Sequence, residues 1–151
     1  MPTHAEKRFL PFSQEQLFNL VADVEIYPEF LPWCIAVRVT HRDENTIRAD
    51  LMVGFKMVRE KFTSKVTLLA PDRIDVVYLD GPFRYLNNHW IFEPHEKGCL
   101  LYFFIDFEFR SAVMKRLMGG LFNEAAGHMV TAFEMRAREL YGVNRGREKG
   151  A

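Results

Sequence analysis

The chain has 151 residues and a mass of 17.7 kDa, the usual extent of one domain, large enough to bury a core without a disulfide or metal. Apolar residues make up 48% and charged residues 26%, which excludes a disordered or collagen-like chain, and 20 basic residues against 20 acidic ones argue against a globally basic DNA binder. Cys34 and Cys99 stand alone and far apart, so neither a disulfide scaffold nor a zinc knuckle is expected.

In chain order, Thr3–Leu10 is a weakly patterned first strand. Ser13-Gln14-Glu15-Gln16 fits a capping box, and Leu17, Phe18, Leu20 and Val21 supply the apolar stripe of a short helix. A second short helix follows from Asp23, broken by Pro28 and Pro32. From Ile35 to Phe109 the period changes to two. Ile47, Ala49, Leu51, Val53 and Phe55 form one inward row. Val58, Glu60, Phe62, Ser64, Val66 and Leu68 form another, opposite a charged or polar set. Ile74–Leu79 is a further strand between turns at Pro71-Asp72-Arg73 and Asp80-Gly81-Pro82. Leu86, Trp90 and Phe92 share parity, and Leu101, Phe103, Ile105, Phe107 and Phe109 make a long apolar row. After Ser111, apolar residues return at helical spacing from Met114 to Leu140, a helix of about 30 residues and roughly 45 Å ended by Gly142.

These elements predict an α+β domain over residues 1–142. A curved antiparallel sheet of six to seven strands wraps around one long C-terminal helix, with two short helices after the first strand. Residues 143–151 form a polar, disordered tail. A single helix in a concave sheet leaves a gap, the natural place for a ligand. Phe outnumbers Tyr and Trp, 14 against 5 and 2, so either the core is dry and tightly packed or a cavity is lined for a greasy molecule.

Several residues carry candidate chemistry. Glu60 and Ser64 interrupt an inward apolar row and could form the polar end of a cavity; the alternative is that Glu60 sits half-solvated at a strand end. Asn88 shares the parity of Leu86 and Trp90 and could offer its amide to a ligand carbonyl, whereas His89 faces out. Met114, Met118 and Met129, with Leu117, Leu121 and Phe122, make a soft stripe suited to a flexible tail, or simply to core packing. With Leu51, Val53, Phe55, Phe62, Val66, Leu86, Trp90, Phe103 and Phe107 from the strands, they complete an expected lining. No cluster completes a metal site, no phosphate loop is present, and Asp106 and Glu108 face away from the Phe row, so no catalytic residue is expected. Leu100, Tyr102 and Phe104 make the last strand apolar on its outer face too, which fits an oligomer or membrane contact or cover by a neighbouring element. The longest apolar run, Leu100–Ile105, is far below the roughly 20 residues of a spanning helix. The N-terminus carries neither a signal nor a transit pattern, so a bacterial cytoplasmic protein is expected, with peripheral contact to the inner membrane possible.

Four segments carry a resemblance: VADVEIYPEFLPWC (21–34), LMVGFKMVREKFTSKV (51–66), GPFRYLNNHWIF (81–92), and FFIDFEFRS (103–111) with AFEMRARELYG (132–142). On these, the chain resembles the coenzyme Q-binding protein family of the START-like superfamily, whose members have a helix-grip fold. That family shares a branch with bacterial ribosome-association toxins and polyketide cyclase/dehydrase proteins. The resemblance implies a hydrophobic tunnel between sheet and helix holding ubiquinone or a similar polyprenyl lipid, with no cofactor required. It implies delivery of quinone to respiratory complexes or biosynthetic enzymes without chemistry, and it places Phe30, Leu31, Trp33 and Cys34 in a segment helping to form the tunnel mouth; the alternative is that Trp33 only anchors this loop to the core. Two rival readings stand beside it: a toxin-like factor that binds the large ribosomal subunit and blocks subunit joining, and an aromatic cyclase or dehydrase.

Overall fold

The computed structural model describes residues 3–55 and 58–142, and at Phe55, Val58, Met118 and Gly119 the backbone alone. Phe55 and Met118, expected to line a cavity, and the expected polar tail therefore fall outside what is described. The strands are β1 (Thr3–Leu10), β2 (Cys34–Arg42), β3 (Thr46–Phe55), β4 (Val58–Leu69), β5 (Arg73–Asp80), β6 (Phe83–His95) and β7 (Gly98–Phe109). The helices are α1 (Gln14–Ala22), α2 (Ala112–Gly127) and α3 (Met129–Tyr141), with a 3₁₀ segment at Val24–Glu29.

The strands form one antiparallel sheet in the order β1-β7-β6-β5-β4-β3-β2. Strands β2 to β7 meander, and β1 returns to pair with β7, Thr3 opposite Asp106 and Leu10 opposite Cys99. Register shifts between Cys34 and Ala36, Val39 and His41, Thr63 and Ser64, and Phe83 and Tyr85 supply the local bends of a sheet that curves around its helices. The turn before β6 depends on Gly81. Its φ is 146°, and a Cβ there would lie 2.5 Å from the Cβ of Phe62, so only glycine lets the turn close over β4.

The helix starts follow local chemistry. Ser13 Oγ accepts from Gln16 N and Gln16 Oε1 accepts from Ser13 N, both at 3.0 Å, which is the expected capping box. Ser111 Oγ accepts from the amides of Val113 and Met114. Asp23 precedes the 3₁₀ segment without capping it through its side chain. Instead of one uninterrupted C-terminal helix, the run breaks at His128, with φ −108° and ψ 6°. The His128 amide is shared between the carbonyls of Glu124 and Ala125, while its own carbonyl accepts from Ala132, so α3 restarts within one residue. Gly127, adjoining the break, has open space where a Cβ would stand, so close packing does not require it.

The concave face buries the rows read from the alternation. Ile47, Ala49, Leu51 and Val53 of β3, Phe62 and Val66 of β4, Ile74 of β5, and Phe103, Phe107 and Phe109 of β7 are all buried. Against them lie Leu17, Leu20 and Val21 of α1 and Val130, Phe133 and Ala137 of α3.

Candidate functional site

The Phe-rich composition resolves into two aromatic clusters with space between them. In one, Phe83 stacks on Phe109 at 4.9 Å and meets Phe62, Tyr78, Phe107 and Phe122 edge-on or tilted. In the other, Trp90 packs on Phe103 at 4.6 Å and Phe133 at 4.9 Å, and Phe133 meets Tyr27 and Phe30 edge-on. An inner cavity of about 110 Å³ lies over the middle of the concave sheet. Its floor includes Leu51, Phe62, Ser64, Val66, Leu86, Asn88, Trp90 and Phe107, and its roof includes Trp33 and Phe122.

A second pocket of about 300 Å³ adjoins it, bounded by Leu31, Pro32, Gly54, Leu121, Glu124, His128 and Ala132. Trp33, Phe122, Ala125 and Met129 line both spaces. These four side chains form the partition, with the Trp33 and Phe122 rings 6.3 Å apart.

The polar groups of the inner cavity are few. Ser64 is the one fully buried polar side chain among the described residues, at 2% exposure, and its hydroxyl has no hydrogen-bond partner there. Asn88 Oδ1 accepts from Trp90 Nε1 at 3.2 Å and its Nδ2 donates to the Phe104 carbonyl at 2.9 Å, which fixes the amide and leaves one N–H over. Tyr27 donates its hydroxyl to the Val21 carbonyl. Burial, with Cys34 and Asp23 nearby, pushes its pKa far up, so it stays a phenol. Burial also pushes the Cys34 thiol up to about 12, which keeps it protonated and unsuited to nucleophilic attack at neutral pH.

Other expected residues lie elsewhere. Val53 is buried and Glu60 lies opposite it on an uninterrupted β3–β4 register, so Glu60 does face the concave side; it sits half-buried near the strand end and lines neither space. Phe30 and Phe103 stand behind the cavity wall, supporting Phe133 and Trp90. Met114 is half-buried outside both spaces, and Leu117 is 55% exposed. The cause is a shift along the helix. The cavity is met by Phe122, Ala125, Ala126, Met129 and Phe133, whereas in the first half of α2 Met114 packs against the core without reaching either space and Leu117 faces solvent. Sequence reasoning missed Val21, Val24 and Tyr27, which come from irregular or helix-end backbone, and Ala49, Ile74, Val76 and Ile105, whose strand parity had been available as a signal.

On the convex side, His89 bonds Asp75 at 2.8 Å and stacks on Phe104, Lys7 lies over Tyr102, and Glu108 pairs with Arg84. Asp106 accepts from Thr3 Oγ1 on the same side. These acids are separated from the cavity by the sheet. Among the described residues no His/Cys/Asp/Glu group could hold a metal, and no helix is long and apolar enough to cross a membrane.

Known proteins share both sequence and architecture with this chain. The ribosome association toxin RatA of Rickettsia prowazekii is 39% identical over 137 residues, spanning 88% of this chain and 94% of the relative. The mitochondrial coenzyme Q-binding protein COQ10 homolog B of Xenopus laevis is 36% identical over 144 residues, spanning 92% of this chain and 59% of that protein. The solution structure of the 18 kDa protein CC1736 of Caulobacter crescentus, 38% identical, superposes with a TM-score of 0.72 over 95% of this chain and 100% of that one. Residues 10–134 match the family model described as polyketide cyclase/dehydrase and lipid transport. With its curved seven-stranded sheet closed by C-terminal helices, the chain belongs to that family and has the START-like fold.

Proposed function

We propose that the chain is a non-catalytic carrier of an apolar molecule with a ring head and a flexible tail, a polyprenylated quinone such as ubiquinone being the ligand class favoured. The observation that carries this reading is the pair of adjoining cavities divided by Trp33, Phe122, Ala125 and Met129. An engineered apolar cavity of about 150 Å³ binds benzene; the inner space, about 110 Å³, is smaller, so a quinone ring fits only if the partition side chains shift and join it to the outer pocket, and a long tail is excluded from it. The tail would leave past Trp33 and Phe122 into the outer pocket. Each buried CH₂ contributes about 0.8 kcal/mol against about 1 kcal/mol for one hydrogen bond, so the tail supplies most of the affinity and the polar groups set orientation. The unpartnered Ser64 hydroxyl and the spare Asn88 N–H are donors for a head-group carbonyl. Among the described residues no carboxylate or imidazole lines the inner cavity, which favours binding over cyclase or dehydrase chemistry. The Xenopus relative is named a coenzyme Q-binding protein, which agrees in ligand class.

The test is solvent extraction of the purified protein and mass spectrometry of the extract. The expected result is a quinone at near-stoichiometric amount; an empty extract with no uptake when quinone is titrated in would overturn the reading.

A second reading, association with the large ribosomal subunit, is favoured by the RatA relative, which this chain matches over 94% of that protein's length. Cosedimentation with purified subunits tests it: salt-sensitive binding supports it, and no binding sinks it.

A further inference from the structure

The N-terminal half of α2 carries features that the helix does not need for its own stability. Val113 is 62% exposed and Leu117 55% exposed, one turn apart on the same side of the helix. Between them in sequence, Lys115 and Arg116 are exposed, Arg116 beside the apolar pair and Lys115 on the far side of the helix, with no ion pair to a described carboxylate. The first turn holds no acidic residue, and none occurs from Ala112 to Asn123. The N-terminus of a helix is its positive end, where Asp and Glu are favoured and cations are not. A β-branched residue exposed in a helix adds no packing to offset its lower propensity. The apolar stripe is continuous with the outer pocket, because Leu121, one turn beyond Leu117, is part of that pocket's wall.

We propose that this half of α2 docks the protein on an anionic lipid surface, with Val113 and Leu117 inserted among the head groups, Arg116 on the phosphates and Lys115 adding positive charge from the far side of the helix. Cations flanking exposed apolar side chains fit a negatively charged bilayer and not a neutral one. The inference deepens the carrier reading and rests on it for its purpose, since the docked helix would bring the pocket mouth to the place from which a membrane-dissolved ligand enters.

The test is flotation of the ligand-free full chain with vesicles of phosphatidylcholine containing phosphatidylglycerol, against vesicles of phosphatidylcholine alone. Binding to the anionic vesicles alone, weakened by added salt, is expected. The double variants V113D/L117D and K115E/R116E should each weaken it by about tenfold or more. Their circular dichroism and melting should match the parent, because all four side chains are exposed. Equal binding to neutral vesicles, no vesicle binding, or binding unchanged in both variants overturns the proposal. Quinone uptake from detergent micelles, measured on the same proteins, keeps the two failures apart: parent protein that takes up no quinone sinks the carrier reading, whereas the flotation result alone decides the docking surface.

Discussion

Helices α2 and α3 are consecutive stretches of one helical run, separated only by His128, yet the fold uses them differently. α3 is tied down on every side. Phe133 is fully buried among Trp90, Tyr27 and Phe30; Glu134 bonds Arg8 of β1 at 2.9 Å and Arg138 at 2.7 Å; Arg136 pairs with Glu29; and Tyr141 donates to the Gln16 carbonyl at 3.1 Å. α2 has one fully buried described side chain, Ala126, in its last turn. The partition residues Phe122, Ala125 and Met129 lie where the loosely held segment meets the anchored one. Secondary structure therefore does not indicate mechanical role. Burial and cross-element bonds hold α3 against the sheet and α1, and both are scarcer along α2.

The strongest challenge to that contrast is paired truncation. Phe133→Ala should lower unfolding free energy by about 3–5 kcal/mol, since it empties a buried aromatic site, whereas Leu117→Ala should change it by about 0.5 kcal/mol or less. Denaturant titration measures both, and similar losses would erase the distinction between the helices.

A smaller effect separates the cavity's floor from its walls. Ser64→Ala removes a buried hydroxyl that has no partner in the protein, so stability should hold or rise slightly. Affinity for a quinone should nevertheless fall by about fivefold, the equivalent of one hydrogen bond of about 1 kcal/mol. Calorimetry on a quinone and on its tail hydrocarbon distinguishes the cases, because the hydrocarbon should not sense the substitution.

The smallest effect concerns how α3 is held. Burial tends to raise the Glu134 carboxyl, but hydrogen bonds and charge from Arg138 and Arg8 outweigh it and hold the group below its ordinary value of 4.5. A depressed carboxyl stabilises the fold above its unfolded pKa, and that contribution disappears as pH falls through the folded value. The melting temperature should therefore drop below about pH 4.5 less steeply in Glu134→Gln than in the parent. Identical pH profiles would remove Glu134 from the anchoring of α3.

Much of this was legible in the residues. The capping box at Ser13, the limits of β1, the alternating inward rows of β3, β4 and β7, and the outward placement of His89 all depend on local periodicity or local hydrogen bonds. Such features need no knowledge of distant partners. The placement of Asn88 on the cavity floor followed from the same parity.

Other features were decided by tertiary structure. The stripe Met114–Phe122 and the stripe Phe122–Phe133 have the same helical spacing, and only the curvature of the sheet and the break at His128 determine that the second one meets the cavity. Tyr27 and Trp33 come from irregular backbone with no period to read, and the division of the space by Trp33 and Phe122 joins residues far apart in the chain. Periodicity tells which side of an element is apolar. It does not tell how far that side stands from the surface opposite, and that distance separates a packed core from a cavity and a buried leucine from the exposed Leu117.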